Sequence, residues 1–421
     1  MTQSKSPGFF YGYIVVLLAF LITAIAWGTQ YSFGVFFKPV LTEFGWSRAA
    51  TSGAFSLCVV FNGFLAIFTG RLSDRFGPRV VMTVCGFFLG LGYILMSRIS
   101  AIWQLYLFYG IVVGIGLSGV YVPAASTVAR WFIKRRGLMT GIAVSGIGLG
   151  ILVIAPLANW MISSYGWRTS YLIIGILVLV LLILAAQFIR RDPREMGLKP
   201  YGESQEESRD VRSGVDGFSL QSAIKTRQFW TLFPMFLCYG FIMSTIKVHI
   251  VPHATDLGIS PAAAASILSL IGGTSIVGRI VMGSFGERFN NRRATVISLS
   301  VLLAALLWLL ITKELWMFYL FATAGGFAYG GMAALISLIS VELFGLGYIG
   351  LIIGVFTFST TIGEATGPAV AGGIFDTTGS YQLAFLICTA LSVITIILAS
   401  LVKPIVSIKS GATVKLRSPT K

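Results

Sequence analysis

The chain has 421 residues, 56% of them hydrophobic and 11% charged, with a mean hydropathy of +0.86. This composition excludes a water-soluble domain, because too little polar surface exists to cover one. The net charge of +16 does not indicate nucleic acid, because the basic residues follow a membrane pattern.

Apolar stretches of about 20 residues, enough for an α-helix to cross the hydrocarbon core, divide the sequence into twelve spans. Their approximate limits are 11–37, 48–72, 80–98, 103–129, 138–162, 168–190, 228–256, 260–285, 293–312, 314–342, 348–376 and 380–402. If both termini face the cytoplasm, 24 of the 31 Lys and Arg lie on that side, five lie opposite (Lys38, Arg48, Arg98, Arg168, Lys313), and Lys247 and Arg279 fall inside spans. The positive-inside rule therefore predicts cytoplasmic termini and a multi-pass protein of the cell membrane, and an even number of spans agrees with it. Cys58, Cys85, Cys238 and Cys388 all fall inside spans and read as small core hydrophobes, without a disulfide frame or a metal site. The first apolar run, after MTQSKSPG, is too long for a cleaved signal peptide and is expected to remain as the first span.

The first span carries Trp27, Gln30 and Tyr31 in its second half, either lining a cavity or, for the two aromatics, sitting at the membrane interface. Between the second and third spans lies GRLSDRFGPR, residues 70–79. A short turn with Asp74 among Arg71, Arg75 and Arg79 can tie helix ends together by ion pairs and helix dipoles. It resembles the signature loop of the major facilitator superfamily, G-x-L-x-D-R-x-G-R, with Pro78 as a departure. Gly70, Asp74, Arg75 and Arg79 recur 213 positions later as Gly283, Glu287, Arg288 and Arg292, and the same offset relates Gly137 to Gly350, Gly141 to Gly354 and Gly166 to Gly379. A fixed displacement of half the chain predicts two parallel homologous halves with a site between them near the midplane.

The expected architecture is thus an all-α membrane protein with twelve transmembrane helices in two six-helix halves around a central cavity. Residues 1–190 form the N-terminal half, 191–227 a cytoplasmic linker with a short surface helix after Phe218, 228–403 the C-terminal half and 404–421 a cytoplasmic tail. Asp74, Arg75, Glu287 and Arg288 are the expected cytoplasmic gate.

The fourth span is glycine-rich, which suits close helix packing, and Tyr121 follows as a candidate cavity residue. The basic cluster leading into the fifth span, ARWFIKRRGLMTGIAVSGIGLG (129–150), reads at its plainest as topological charge followed by close packing. It also resembles the fifth-helix motif of the monocarboxylate transporters, aromatic-F-x-K-R-R-x-L-A-x-G-x-A-x-A-G. Phe132, Lys134, Arg135, Arg136, Leu138, Gly141, Ala143 and Gly146 match, whereas Trp131, Met139 and Ser145 depart.

The seventh span places Lys247, His249, His253 and Asp256 toward its outer end. The two histidines share a helical face but lack a third ligand, so metal is not expected. His249 is a candidate contact for substrate or proton, and Lys247 either titrates or snorkels outward. In the eighth span, Arg279 sits among small and apolar residues about two turns inside the bilayer edge. There an arginine costs about 2.5–3.5 kcal/mol. Either it anchors an anion through paired hydrogen bonds or a buried acid holds it permanently. In the tenth span glycines flank Tyr329, leaving room for a tyrosine facing a cavity. In the eleventh, Glu364 lies near mid-membrane beside Phe358, Thr360 and Thr361, as a proton carrier or as a partner for Lys247 or Arg279.

The resemblance to monocarboxylate transporters implies symport of a proton with a small monocarboxylate such as lactate or pyruvate. Arg279 would hold the carboxylate, and Tyr329, His249, Asn62 and Tyr121 would supply further contacts. Phe358 and Leu149 would shape the pocket for the apolar tail, and Tyr31 corresponds to a first-helix lysine of that family. Glu364, His249 and Lys247 are the proton-coupling candidates. Ser275 stands where animal members carry an aspartate, and no acidic residue precedes Tyr11-Gly12-Tyr13. The stretch Gly28-Thr29-Gln30-Tyr31-Ser32 resembles the oxalate–formate exchangers, in which an eighth-helix arginine and an eleventh-helix lysine hold a dicarboxylate. Thr360 occupies the lysine position here, so an anion exchanger is the second reading. A membrane enzyme lacks a nucleophile or an acid–base pair at an interface, and a non-transporting sensor lacks an output domain. The expected partners are a small carboxylate, a proton and the lipid bilayer. No cofactor is expected, and the sequence leaves the oligomeric state open.

Overall fold

The computed structural model describes residues 10–202, 218–288, 290–344 and 349–402. Among these residues, ten helices are long and apolar enough to cross a membrane. One of them, Leu138–Phe188, runs through a sharp kink at Gly166 and makes two crossings. With Ile349–Thr378 as the eleventh span, the crossings number twelve. The first is Gly12–Phe44, the second begins the helix Arg48–Phe76, the third is Pro78–Met96 and the fourth is Ile102–Trp131. The seventh to tenth are Arg227–Asp256, Pro261–Gly286, Asn291–Leu309 and Leu315–Phe344, and the twelfth is Gln382–Leu401. Large apolar side chains such as Leu17, Phe87, Trp160, Ile280 and Ile397 are exposed. This inverted surface suits lipid, where apolar exposure has no penalty.

Within the gap expected at residues 163–167 between the fifth and sixth spans, the helix runs on to Gly166 without a separate loop. Gly166 alone turns the chain at φ 77°, ψ 160°, a backbone conformation that a residue bearing a Cβ resists. Its repeat partner Gly379, at φ 71°, turns the chain between the eleventh and twelfth spans.

The 213-residue offset extends to details of the backbone. Ser47 Oγ accepts from Ala50 N at the start of the second span, and Ser260 Oγ accepts from Ala263 N at the start of the eighth. These N-caps each satisfy an otherwise unpaired helix N–H. Arg79 Nε donates to Gln187 Oε1 at 2.9 Å, and Arg292 donates to the Ser400 carbonyl, one offset later at both ends. A Cβ on Gly150 would collide with the Ala24 carbonyl, and one on Gly363 with the Leu237 carbonyl. The first and fifth spans, and equally the seventh and eleventh, therefore approach at backbone distance, as small-residue packing permits.

Within the halves, the first span packs on the fifth, the third on the sixth, the seventh on the eleventh and the eighth on the tenth. Between halves, the fifth packs on the eighth and the second on the eleventh, with the outer end of the first against the seventh. The repeat converts the first two of these contacts into each other, as two homologous halves related by pseudo-symmetry require.

After the sixth span, Tyr201 N donates to the Trp131 carbonyl and the Tyr201 carbonyl accepts from Ile133 and Lys134. The expected surface helix is Leu220–Ile224, capped by Ser219. The side chains of Asp74, Glu287 and Arg288 lie outside the described residues, so only Arg75 of the expected cytoplasmic gate is described. It is exposed, with its guanidinium 5.2 Å from the centre of the Phe76 ring.

Candidate functional site

Three elements bring charge to the middle of the bundle, and a fourth brings an aromatic ring. The seventh span contributes Lys247, the eighth Arg279, the tenth Tyr329 and the eleventh Glu364. Lys247 Nζ lies 3.3 Å from Glu364 Oε1, and the two side chains are 2% and 20% exposed. The ammonium also sits 3.9 Å from the Tyr31 ring centroid and 4.9 Å from that of Tyr329. Two electron-rich faces and one carboxylate thus replace the water it has lost. Lys247 does not snorkel.

Arg279 approaches the same Tyr329 ring, with Cζ 5.9 Å from its centroid. One terminal nitrogen donates to the Val144 carbonyl of the fifth span at 3.1 Å, while Nε is buried without a hydrogen-bond partner. Among the described residues no acid pairs with this guanidinium. Arg279 is half-buried, and a charge within the membrane left without a counter-ion is costly unless another group arrives to neutralise it.

Tyr329 is positioned through its backbone, whose carbonyl accepts from the Tyr239 hydroxyl at 3.1 Å. Tyr239 did not stand out in the sequence, where it reads as one more aromatic in an apolar run. Tyr31 is buried, with its ring 5.8 Å from Trp27, so neither ring serves as an interfacial anchor. The Tyr121 hydroxyl is within electrostatic reach of Arg279 and Tyr329, and its side chain is exposed at 40%. Phe358 is exposed, and Asn62 and Leu149 are half-buried. Asn62 adjoins the contact between Gly63 and Thr361, and Leu149 adjoins that between Gly148 and the eighth span.

His249 is not brought to this cluster. It is fully buried, Nδ1 lies 3.0 Å from the Tyr381 hydroxyl and Nε2 lies 2.9 Å from the Pro368 carbonyl. With both ring nitrogens engaged by the protein, it has no free position for a substrate in this conformation. Its face-sharing neighbour His253 packs edge-on against Phe318, Phe385 and Tyr381.

His249 instead belongs to a latch on the face opposite the basic loops. Asp256 pairs with Lys38 at 3.2 Å and with Arg48 at 2.8 Å. Asp376 accepts from the backbone N–H groups of Arg48 and Ala49 at 2.9 and 2.8 Å. It thereby neutralises the positive end of the second helix from the other half of the molecule. Arg48 also donates to the Tyr381 hydroxyl at 2.7 Å and lies over the Phe375 ring at 3.8 Å. Glu43, the repeat counterpart of Asp256, stays within its own half, pairing with Arg168 at 2.7 Å. The face opposite the basic loops is bridged by a cross-half ionic network, of which the sequence showed Lys38, Arg48 and Asp256 only as isolated charges near span ends. Replacing both Asp256 and Asp376 with asparagine is expected to release it. Cysteine accessibility at Ala49 or Gly373 from the outer side should rise several-fold, and unchanged labelling would show that apolar packing alone holds the closure.

The chain is therefore a multi-pass membrane transporter built from two homologous helical halves. It belongs to the Major Facilitator Superfamily, whose model matches residues 18–253 and 232–419. Within that superfamily it is 28% identical to monocarboxylate transporter 13 of Bos taurus over 400 residues, covering 92% of this chain and 88% of the relative. It is 27% identical to monocarboxylate transporter 12 of Mus musculus over 415 residues, covering 92% and 84%. In fold it resembles a bacterial homolog of the human lysosomal transporter Spinster in an inward-facing conformation, with a TM-score of 0.71 at 17% identity over 94% of this chain and 96% of that one.

Proposed function

We propose that the protein moves small monocarboxylates such as lactate and pyruvate across the cell membrane together with a proton, by alternating access between its two halves. Both termini face the cytoplasm in this reading, as the placement of the basic loops requires. The observation that carries the proposal is the state of Arg279, a fixed cation within the membrane that meets a carbonyl and an aromatic face and, among the described residues, pairs with no acid. A planar guanidinium with free donors suits a carboxylate. Tyr121, Asn62 and Tyr329 then supply polar contacts, and Phe358 and Leu149 surround a short apolar tail. The similarity to curated monocarboxylate transporters supports the substrate class.

For the proton, Glu364 is the group best placed, since it touches the Lys247 ammonium and keeps 20% exposure. His249 is engaged elsewhere. Exchange in the manner of the oxalate–formate exchangers draws on the second cation, Lys247, but its charge is already answered by Glu364. In proteoliposomes, lactate uptake is expected to rise several-fold when the external pH is set below the internal pH, and Glu364→Gln is expected to flatten that response. A wild type indifferent to the gradient would remove symport and favour exchange.

A further inference from the structure

We propose that Glu364 is a resident carboxylate that fills a second anion position in the site and so restricts it to substrates with a single carboxylate. The proposal rests on the transport reading above. Two cations share the Tyr329 ring, with Lys247 Nζ at 4.9 Å and Arg279 Cζ at 5.9 Å from its centroid. A site with two free cations beside one ring would favour a substrate with two negative ends. Here one cation is answered from within the protein. Lys247 is sealed at 2% exposure, whereas its partner Glu364 keeps 20%, so the carboxylate is the member of the pair that a guest can approach.

The remaining neighbours add no second acid among the described residues. Tyr31 comes from the first span, Tyr239 from the seventh and Tyr329 from the tenth, and the electrostatic interactions of Glu364 run to Tyr31 and Tyr239. With Glu364 ionised, as it is when a guest arrives ahead of the proton, the cluster carries two positive charges and one negative charge, leaving one positive charge for that guest. A monocarboxylate balances it. A dicarboxylate would bring its second charge against Glu364, and such like-charge opposition is how a site rejects a competitor. Without the Glu364 charge, Lys247 lacks its partner and a guest's second carboxylate can replace it. The selectivity is thus carried by a residue that repels the wrong ligand as well as by one that attracts the right one.

The test uses purified full-length protein, with labelled L-lactate and labelled malonate as probes at neutral pH. Each is measured by uptake into proteoliposomes and by thermal stabilisation in detergent. Glu364→Gln and the smaller Glu364→Ser are each expected to raise the malonate-to-lactate ratio about tenfold or more over wild type. Adding Lys247→Gln is expected to abolish that gain. An unchanged ratio in both single variants would overturn the proposal, as would a gain that survives loss of Lys247. A wild type that moves no monocarboxylate would count against the transport reading instead, and the thermal-stabilisation ratio would still decide the role of Glu364.

Discussion

Arg279→Gln is expected to abolish lactate uptake in proteoliposomes while leaving the protein folded and correctly inserted. Removing one member of a buried, hydrogen-bonded charge pair costs about 2–5 kcal/mol of binding, a loss of at least about 30-fold in affinity. The folded state should tolerate the change, because Arg279 donates only one described hydrogen bond, to Val144, and its Nε is already unpartnered. Glutamine also relieves the cost of holding a charge in the membrane, so thermal stability should be equal or higher. Arg279→Lys should recover little, since an ammonium cannot form the paired donors of a guanidinium. Uptake that survives both substitutions would place the substrate elsewhere.

The second large effect concerns stability. Lys247→Ala leaves Glu364 without its counter-ion, and breaking a buried ion pair from one side costs about 3–5 kcal/mol. Because Glu364 keeps 20% exposure, the loss should fall near the lower end of that range. It should appear as a marked drop in unfolding temperature in detergent. The double variant Lys247→Met with Glu364→Gln removes both charges and should recover most of the loss, since a neutral pair of similar volume no longer pays for desolvation. Equal destabilisation by the single and double variants would show that Lys247 matters through its packing against Tyr31 and Tyr329 instead.

Much of this molecule is legible in its sequence because the membrane imposes simple rules. Span length, the placement of basic residues and the 213-residue repeat each follow from one constraint, and each needs only counting. The repeat reaches as far as the Ser47 and Ser260 caps, because a homologous half keeps the backbone groups that must be satisfied at the same places. Arg279 stood out for a similar reason, as a charge that its surroundings did not explain.

Pairings between spans were less legible. Lys247 and Glu364 lie 117 residues apart, and the sequence allowed Glu364 to face Lys247, Arg279 or a proton path. Helix rotation within the bundle decides among these, and the hydrophobic pattern of a helix buried on most sides barely encodes that rotation. His249 shows the same limit. Its spacing from His253 gives the shared face correctly, but not that Tyr381 and Pro368 would close over it. The outer latch was hidden because Asp256 and Asp376 sit where loops begin, positions at which a charge needs no explanation. The break between the fifth and sixth spans was legible at residues 163–167, but not that Gly166 alone, at positive φ, would make the turn.

The most direct measurement is equilibrium binding of labelled L-lactate to purified protein in detergent, wild type against Arg279→Gln, because it separates holding the anion from moving it. Saturable binding to the wild type that disappears in the variant, with Tyr121→Phe weakening it to a lesser degree, is the predicted result. Wild-type binding retained by Arg279→Gln would contradict the assignment of this cation as the anchor.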